Sequence, residues 1–172
     1  MGSQLDSLHL AYVGIGSNVG DRLKFCRTAL ACLPAPNVLL VKSSSLYEAE
    51  PVDYLSQDWF FNAVVYLHTT LSPLALLQHC QEIEKQLGKN VVVPKGPRTI
   101  DLDLLFYDNQ VIHEPDLTVP HPSALTRRFV IMPMAEIAPN WIPPTSAQTM
   151  QIILDAMPES PIVRKVFEND WG

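Results

Sequence analysis

The sequence predicts an α+β fold: a ferredoxin-like βαββαβ core, in which helices pack on an antiparallel sheet, followed by extra C-terminal helices. Three observations lead to this prediction. Strand and helix patterns follow one another in the order β-α-β-β-α-β. A chain of 172 residues suffices for one hydrophobic core but not for two ordinary domains, and 47% hydrophobic with 17% charged residues is a globular composition. We therefore expect residues 1–172 to form a single domain.

The first strand and helix are predicted from an apolar run that is followed by a capping turn. The run covers residues 8–15, and the turn Gly16-Ser17-Asn18-Val19-Gly20-Asp21 supplies side chains that can cap a helix. We expect this helix to end near Leu33, because Pro34 and Pro36 follow it.

Two further strands are predicted over residues 38–47 and 59–69, where β-branched and aromatic side chains are dense. The loop between them is longer than a hairpin needs. It carries the segment Glu48-Ala49-Glu50-Pro51-Val52-Asp53.

The second helix has the clearest signals in the chain. Ser72 is a predicted N-cap, Pro73 occupies the first helical position, and Gly88 supplies the stop. Between them runs an apolar stripe at helical spacing, formed by Leu76, Cys80, Ile83 and Leu87.

The fourth strand of the core is predicted over residues 99–107, and a short strand at residues 111–112 follows it. We expect one C-terminal helix over residues 123–134 and a second that begins at an N-cap, Ser146, and ends at Ala156. Several prolines mark the connection between these two helices.

Charge and composition exclude several classes of protein. A formal net charge of −6 at pH 7 disfavours nucleic acids and anionic membranes as partners, because their binders need clustered Lys and Arg. Neither a leader pattern nor an apolar run of membrane-spanning length is present, so we expect a cytoplasmic protein. The three cysteines have no metal-ligand spacing and are assigned no function. We expect a monomer, and the sequence leaves a dimer open.

Asp101 and Asp103 are the most informative residues of the chain. They lie two positions apart in an apolar segment that reads as a strand, so alternation places both carboxylates on one face. Two carboxylates about 7 Å apart repel each other and lose hydration when half buried, unless a cation compensates them. A divalent metal ion is the simplest explanation, and a solvated strand face is the alternative.

Several basic residues favour the interpretation of this pair as a metal site. Arg98, His121 and Arg127 form a scattered basic set in an acidic protein, which suits a phosphoryl-transfer site. Mg²⁺ takes one or two carboxylates and completes its shell with water and phosphate oxygens. Gln81 and Glu84 are neighbours on the second predicted helix, and they are either nucleotide contacts or ordinary exposed residues.

A flat ligand is suggested by Asn62, a polar amide within an apolar run, which needs several hydrogen-bond partners if it is buried. Phe60 shares its strand face, and Phe129 lies beyond the arginines. Two such rings could sandwich a heteroaromatic ligand, although strand phenylalanines are more often core residues.

Gly14, Gly16 and Gly20 resemble a dinucleotide-binding turn, but the third glycine comes one position late and the second predicted strand ends without an acidic residue. A simple glycine turn after a strand explains the pattern better. A nicotinamide oxidoreductase therefore remains a remote alternative.

Four segments, taken together, resemble the 6-hydroxymethyl-7,8-dihydropterin pyrophosphokinase family of folate biosynthesis. They are Ile15-Gly16-Ser17-Asn18, Phe61-Asn62-Ala63-Val64, Gly96-Pro97-Arg98-Thr99-Ile100-Asp101-Leu102-Asp103 and Thr118-Val119-Pro120-His121-Pro122. The third is highly specific to the family. The resemblance implies an ATP-dependent diphosphotransferase that moves the β,γ-diphosphoryl unit of ATP onto the hydroxymethyl group of the dihydropterin and releases AMP.

The resemblance also implies roles for individual residues. Two Mg²⁺ ions would be bound by Asp101 and Asp103. The catalytic set would be Arg98, Asp101, Asp103, His121 and Arg127. The pterin would contact Ala49, Pro51, Val52, Phe60, Asn62 and Phe129. ATP would contact Gln81, Glu84, Lys89, Lys95, Arg98, Leu104, Thr118, His121 and Arg127.

The chain departs from the family pattern in its loops. Residues 89–95 carry Lys89 and Lys95 where the family has an arginine-rich mobile loop with a basic-tryptophan pair. Asp53 stands where a glycine is common, and Ala49 where a threonine is common. A noncatalytic ferredoxin-like module that binds a small ligand is therefore the alternative to an active enzyme.

Overall fold

The structure is a computed structural model that describes residues 7–90 and 93–172. A six-stranded antiparallel sheet lies at the centre of this part of the chain. Its strands are β1 (His9–Ser17), β2 (Val38–Ser43), β3 (Leu46–Ala49), β4 (Phe60–Thr69), β5 (Asp101–Tyr107) and β8 (Val163–Phe167). β6 (Ile112–Glu114) and β7 (Leu117–Val119) form a separate hairpin. The helices are α1 (Arg22–Cys32), α2 (Pro73–Gln86), α3 (Arg128–Ile137) and α4 (Met150–Ala156).

The strand order confirms the predicted ferredoxin-like core. The sheet runs β5-β1-β4-β3-β8, and β2 pairs with the same edge of β4 beyond β3. The predicted strands therefore lie in the order fourth, first, third, second. That order places β5 beside β1, so the residues of both strands can meet at one site.

Local capping explains the first two helices as predicted. Asp21 accepts a hydrogen bond from the backbone N–H of Lys24 at the start of α1 (3.0 Å), and Ser72 accepts one from Ala75 at the start of α2 (3.2 Å). Gly88 follows the end of α2 with φ +76°, a conformation that glycine adopts without strain.

The predicted second strand is interrupted, which corrects the single strand expected over residues 38–47. At Ser44 both the backbone N–H and the side-chain hydroxyl bond to Val64 of β4, and Ser45 donates its N–H and its hydroxyl to Glu136 of α3. These bonds replace regular pairing, so β2 ends at Ser43 and β3 begins at Leu46.

The C-terminal region differs most from the prediction. Residues 123–126 form turns, and α3 begins only at Arg128. Ser146 does not cap the last helix: the Thr149 hydroxyl accepts from Ile152 N–H, and α4 begins at Met150. Strand β8 was not predicted, and it extends the sheet by pairing with β3. The short strand expected at residues 111–112 lies at Ile112–Glu114.

The two faces of the sheet carry different cores. α1 and α2 pack on one face, against buried side chains such as Val13, Val65 and Leu102. α3 and α4 pack on the other face, against Tyr12, Val64 and other residues. The second pair of helices leaves an opening beside α3, where the candidate site lies. Within the described ranges, no helix has both the length and the hydropathy that a bilayer span requires.

Candidate active site

One cleft on the α3 face of the sheet collects most of the predicted site residues. It encloses about 210 Å³, and its walls come from β1, β3, β4, β5, the loop after β3, the segment before β5 and the start of α3. The predicted residues that line it are Ala49, Pro51, Val52, Phe60, Asn62, Lys95, Arg98, Asp101, Asp103, His121, Arg127 and Phe129.

The carboxylates of Asp101 and Asp103 share one face of β5, as strand alternation predicts. In the antiparallel ladder they lie opposite Gly16 and Gly14 of β1. A Cβ at Gly16 would lie 3.3 Å from the side-chain oxygen of Asn62, so a larger residue would press on the cleft. Both glycines line the cleft and lie inside β1 of an antiparallel sheet, which is incompatible with the dinucleotide-turn interpretation.

Asp101 is held by two cations. Its Oδ1 lies 2.7 Å from Lys89 Nζ, and its Oδ2 lies 3.0 Å from Arg98 Nη1. Lys89 Nζ also lies 2.8 Å from Oε2 of Glu84, and Glu84 Oε1 accepts a hydrogen bond from Leu102 N–H at 2.7 Å. Lys89 and Glu84 therefore fix Asp101 from behind the cleft.

Electrostatic shifts follow from this arrangement. Burial raises the pKa of Glu84, although Lys89 and the Leu102 N–H oppose the rise. Burial alone would lower the pKa of Lys89, but the Asp101 and Glu84 carboxylates outweigh it and leave the pKa raised. Lys89 is accordingly a full positive charge at neutral pH.

Asp103 is in a less compensated environment than Asp101. Burial, followed by the charge of Asp101, raises the pKa of Asp103 from 3.8 to about 7. Lys89 and Arg127 counteract only part of this rise. The cleft therefore contains a carboxylate whose negative charge is poorly neutralised by the protein.

His121 lines the cleft. Its Nδ1 accepts a hydrogen bond from Ser123 N–H at 3.1 Å, and its backbone N–H donates to the carbonyl of Leu105 at 2.9 Å. Burial and the nearby Arg127 lower the pKa of His121, so the ring is neutral at pH 7. With Nδ1 acting as an acceptor, the proton is on Nε2, which makes Nε2 a hydrogen-bond donor.

Asn62 has an unused donor at the opposite side of the cleft. The residue is 6% exposed, and its buried Nδ2 has no partner among the described residues. Phe60 and Phe129 also line the cleft, and each ring has a guanidinium near it: Arg98 at 5.8 Å from Phe60 and Arg127 at 5.6 Å from Phe129. A polar ring edge could satisfy Asn62 while the ring face contacts a phenylalanine.

Asn18 organises the site, although no individual role was predicted for it. Its Oδ1 accepts from Arg98 N–H (2.9 Å), and its Nδ2 donates to Gln57 Oε1 (2.9 Å) and to the carbonyl of Asp58 (3.0 Å). It is 2% exposed. Asn18 thus joins the loop after β3 to the segment that carries Arg98, and the motif Ile15-Gly16-Ser17-Asn18 was the available signal.

Five predicted nucleotide contacts do not line the cleft: Gln81, Glu84, Lys89, Leu104 and Thr118. Gln81 is exposed on α2, Thr118 is exposed on β7, and Glu84 reaches the site only through Lys89 and Leu102. Leu104 is 4% exposed within the core under α1 and α2. Their contacts with a nucleotide stay predictions. In the loop 89–95, Val91 and Val92 lie outside the described residues. The N-terminal segment 1–6, in which no leader pattern was expected, also lies outside them.

Comparison with known proteins identifies similar chains. Residues 12–139 match the family model described as 7,8-dihydro-6-hydroxymethylpterin-pyrophosphokinase (HPPK). The 2-amino-4-hydroxy-6-hydroxymethyldihydropteridine pyrophosphokinase of Bacillus subtilis is 44% identical over 130 residues, which cover 75% of this chain and 78% of that protein. The protein of the same name from Methylorubrum extorquens is 40% identical over 77% of this chain and 84% of its own length.

Longer proteins are similar as well. The folic acid synthesis protein fol1 of Pneumocystis carinii is 40% identical over 78% of this chain, which spans only 18% of that protein. The fol1 protein of Schizosaccharomyces pombe is 38% identical, and the chain spans 21% of it. A crystal structure of wild-type Plasmodium falciparum HPPK-DHPS with pterin and p-hydroxybenzoate shares the fold, with a TM-score of 0.71 at 15% identity over 89% of this chain and 42% of that one.

Proposed function

Because this chain belongs to the 7,8-dihydro-6-hydroxymethylpterin-pyrophosphokinase family, we propose that it transfers the diphosphoryl group of ATP to the hydroxymethyl group of 6-hydroxymethyl-7,8-dihydropterin. The products are the pterin diphosphate and AMP. Nothing in the comparisons or in the described residues favours the noncatalytic alternative.

One observation carries this proposal: a single cleft combines side chains suited to bind metal ions and phosphates with an amide that lacks a hydrogen-bond partner. Asp101, Asp103 and Arg98 lie on one side, and Asn62 with its free Nδ2 donor lies on the other. A reaction between a polyphosphate and a flat heterocycle needs both halves in one place.

The pterin half is supported by the chemistry of the walls. The amide of Asn62 can donate through Nδ2 and accept through Oδ1, which suits a ring edge with alternating donors and acceptors. Phe60 and Phe129 supply aromatic surface, while Ala49 and Pro51 are buried and give the rim an apolar lining. Burial of the ring would exclude water from the reacting end.

The phosphate half is supported by cations at defined positions. Arg98 is fixed by its own backbone bond to Asn18 and by a bond from Nε to the carbonyl of Gly96 at 3.1 Å. His121 offers a neutral Nε2–H donor, and Arg127 adds a positive charge. These groups can orient phosphate oxygens so that the hydroxymethyl oxygen attacks the β-phosphorus in line.

The residues present fit magnesium. Asp101 and Asp103 supply hard carboxylate oxygens, and the raised pKa of Asp103 supports a carboxylate whose charge Lys89 and Arg127 compensate only in part. When bound with ATP, two Mg²⁺ ions would neutralise the triphosphate and the charge that develops at its oxygens. The two aspartates would hold the ions, and Arg98 and Arg127 would supply the remaining positive charge.

An assay of AMP release tests the proposed function. Purified protein is mixed with ATP, Mg²⁺ and 6-hydroxymethyl-7,8-dihydropterin, and AMP and ADP are separated by chromatography. We expect AMP that depends on both the pterin and Mg²⁺. Release of ADP instead, or an absence of turnover by a protein that melts cooperatively, would contradict the proposal. The Asp103→Asn variant serves as the inactive control.

A further inference from the structure

Asp53 lies at the point where the two loops of the cleft meet. Its Oδ2 is 3.3 Å from Lys95 Nζ and 3.7 Å from Arg127 Nη2, and all three residues line the cleft. The carboxylate side chain is 46% exposed, so solvent and solutes can reach it. A single carboxylate is thus shared between two cations that face the cleft.

The backbone brings this carboxylate to the cations at some cost. Asp53 has φ +64° and Lys95 has φ +57°, and both values lie in the left-handed region that side chains other than Asn, Asp and Gly seldom adopt. Non-glycine residues in this conformation concentrate at ligand sites, where the surrounding structure holds them. Here two of them meet across one opening.

A second connection keeps the same loops together independently of Asp53. Gln57 donates from Nε2 to the carbonyl of Lys95 at 3.0 Å and to that of Tyr54 at 2.7 Å, and Asn18 donates to Gln57 Oε1. Asp53 can therefore leave its cations without separating the loops. The ion pairs of Asp53 therefore neutralise charge in the cleft and are not needed to hold the loops together.

We propose that the Asp53 carboxylate is an internal competitor for the triphosphate: it occupies Lys95 and Arg127 in the substrate-free protein, and a polyphosphate anion displaces it. The inference rests on the proposed function in that the anion is the triphosphate of ATP. A triphosphate brings more negative charge to the two cations than one carboxylate does, so the exchange favours the ligand. Asp53 then sets the affinity for the anion.

Titration calorimetry with inorganic tripolyphosphate tests the competition without pterin or turnover. The Asp53→Asn variant removes the charge and keeps a side chain that tolerates the left-handed backbone. Each half-exposed ion pair contributes little, so the gain should be modest. We expect tripolyphosphate to bind Asp53→Asn about three- to tenfold more tightly than it binds the wild-type protein. Asp53→Gly, which removes the backbone strain too, should show the same gain and serves if the Asn variant melts abnormally.

Asp58→Asn is the matched control, because it removes the same charge from the same loop at an exposed residue outside the cleft lining. We expect it to change the affinity by less than about twofold. In a Lys95→Met background the gain from Asp53→Asn should shrink, since one of the two contested cations is gone. Equal gains in both backgrounds would indicate a general field effect and would overturn the proposal.

An Asp53→Asn variant that binds tripolyphosphate no better than the Asp58→Asn control, or less well than the wild type, would also overturn the competition. Failure of the proposed function gives a different result. Suppose that the wild-type protein releases no AMP while Asp53→Asn still tightens tripolyphosphate binding. This result would support the competition by Asp53 and contradict the proposed pyrophosphokinase activity.

Discussion

Replacing Asp103 with asparagine should stabilise the substrate-free protein while it removes the proposed transfer activity. Asp103 is the carboxylate whose pKa is raised to about 7, by burial first and by the charge of Asp101 second. Asparagine has nearly the same shape but carries no charge to desolvate or repel. The site is thus expected to favour function at the expense of stability.

The sign and size of the effect follow from the pKa. Below about pH 4 the carboxyl is protonated in both the folded and the unfolded chain, so the substitution has little effect. Between about pH 4 and pH 7 only the unfolded chain loses the proton, and stability falls as pH rises. The rise from 3.8 to about 7 corresponds to roughly 4 kcal/mol at full strength. Solvent in the open cleft screens part of it, so we expect about 2 kcal/mol above pH 7.

Urea unfolding in the presence of EDTA measures this difference at pH 5 and at pH 8. Asp103→Asn should raise the free energy of unfolding by about 2 kcal/mol at pH 8 and by much less at pH 5. Asp101→Asn is the contrasting control, because it removes the partner of Lys89 and Arg98 and should destabilise the protein. The reasoning is refuted if Asp103→Asn is no more stable than the wild type at pH 8, or if its gain is the same at both pH values.

Three further predictions concern the pterin side, the thiols and the C-terminus. Asn62→Asp replaces the free Nδ2 donor by an acceptor and should weaken pterin binding about 10- to 100-fold by calorimetry, with affinity for an ATP analogue unchanged. Burial raises the pKa of Cys26 and Cys80 to about 12, so at pH 8 a thiol reagent should label Cys32 in the folded protein and all three thiols in urea. Trp171 is 2% exposed. Trp171→Ala should therefore lower the free energy of unfolding, measured by circular dichroism, by about 3–5 kcal/mol. A loss below about 1 kcal/mol would show that Trp171 does not stabilise the core.

The parts of the fold that the sequence predicts correctly are those with strong local signals. Helix α2 has an N-cap at Ser72, an apolar stripe and a glycine stop, and all three act as expected. The break at Ser44 and Ser45 was missed because it depends on hydrogen bonds to Val64 and to Glu136, which is 91 positions away from Ser45. Side chains that compete with sheet pairing through such distant partners leave no pattern in the local sequence.

The same distinction applies to the candidate site. The shared face of Asp101 and Asp103 follows from alternation along one strand and could be predicted. The contact between Lys89 and Asp101 depends on how the end of α2 lies against β5, and the joining role of Asn18 depends on a loop about 40 positions away. The resemblance leads one to expect a glycine at position 53, and the left-handed backbone of Asp53, which glycine adopts without strain, gives a physical reason for that expectation.

The register of β1 links the fold to the site. β1 pairs with β4 on one side and β5 on the other, so Gly16 lies opposite both Asn62 and Asp101. A slip of β5 by one residue would turn Asp101 and Asp103 into the core under α1 and α2, where Leu102 now lies. Burying two carboxylates there is prohibitive, and exposing the leucines in the cleft loses their burial as well. The alternation that makes this register the stable one therefore also brings the two carboxylates and the amide of Asn62 to one cleft.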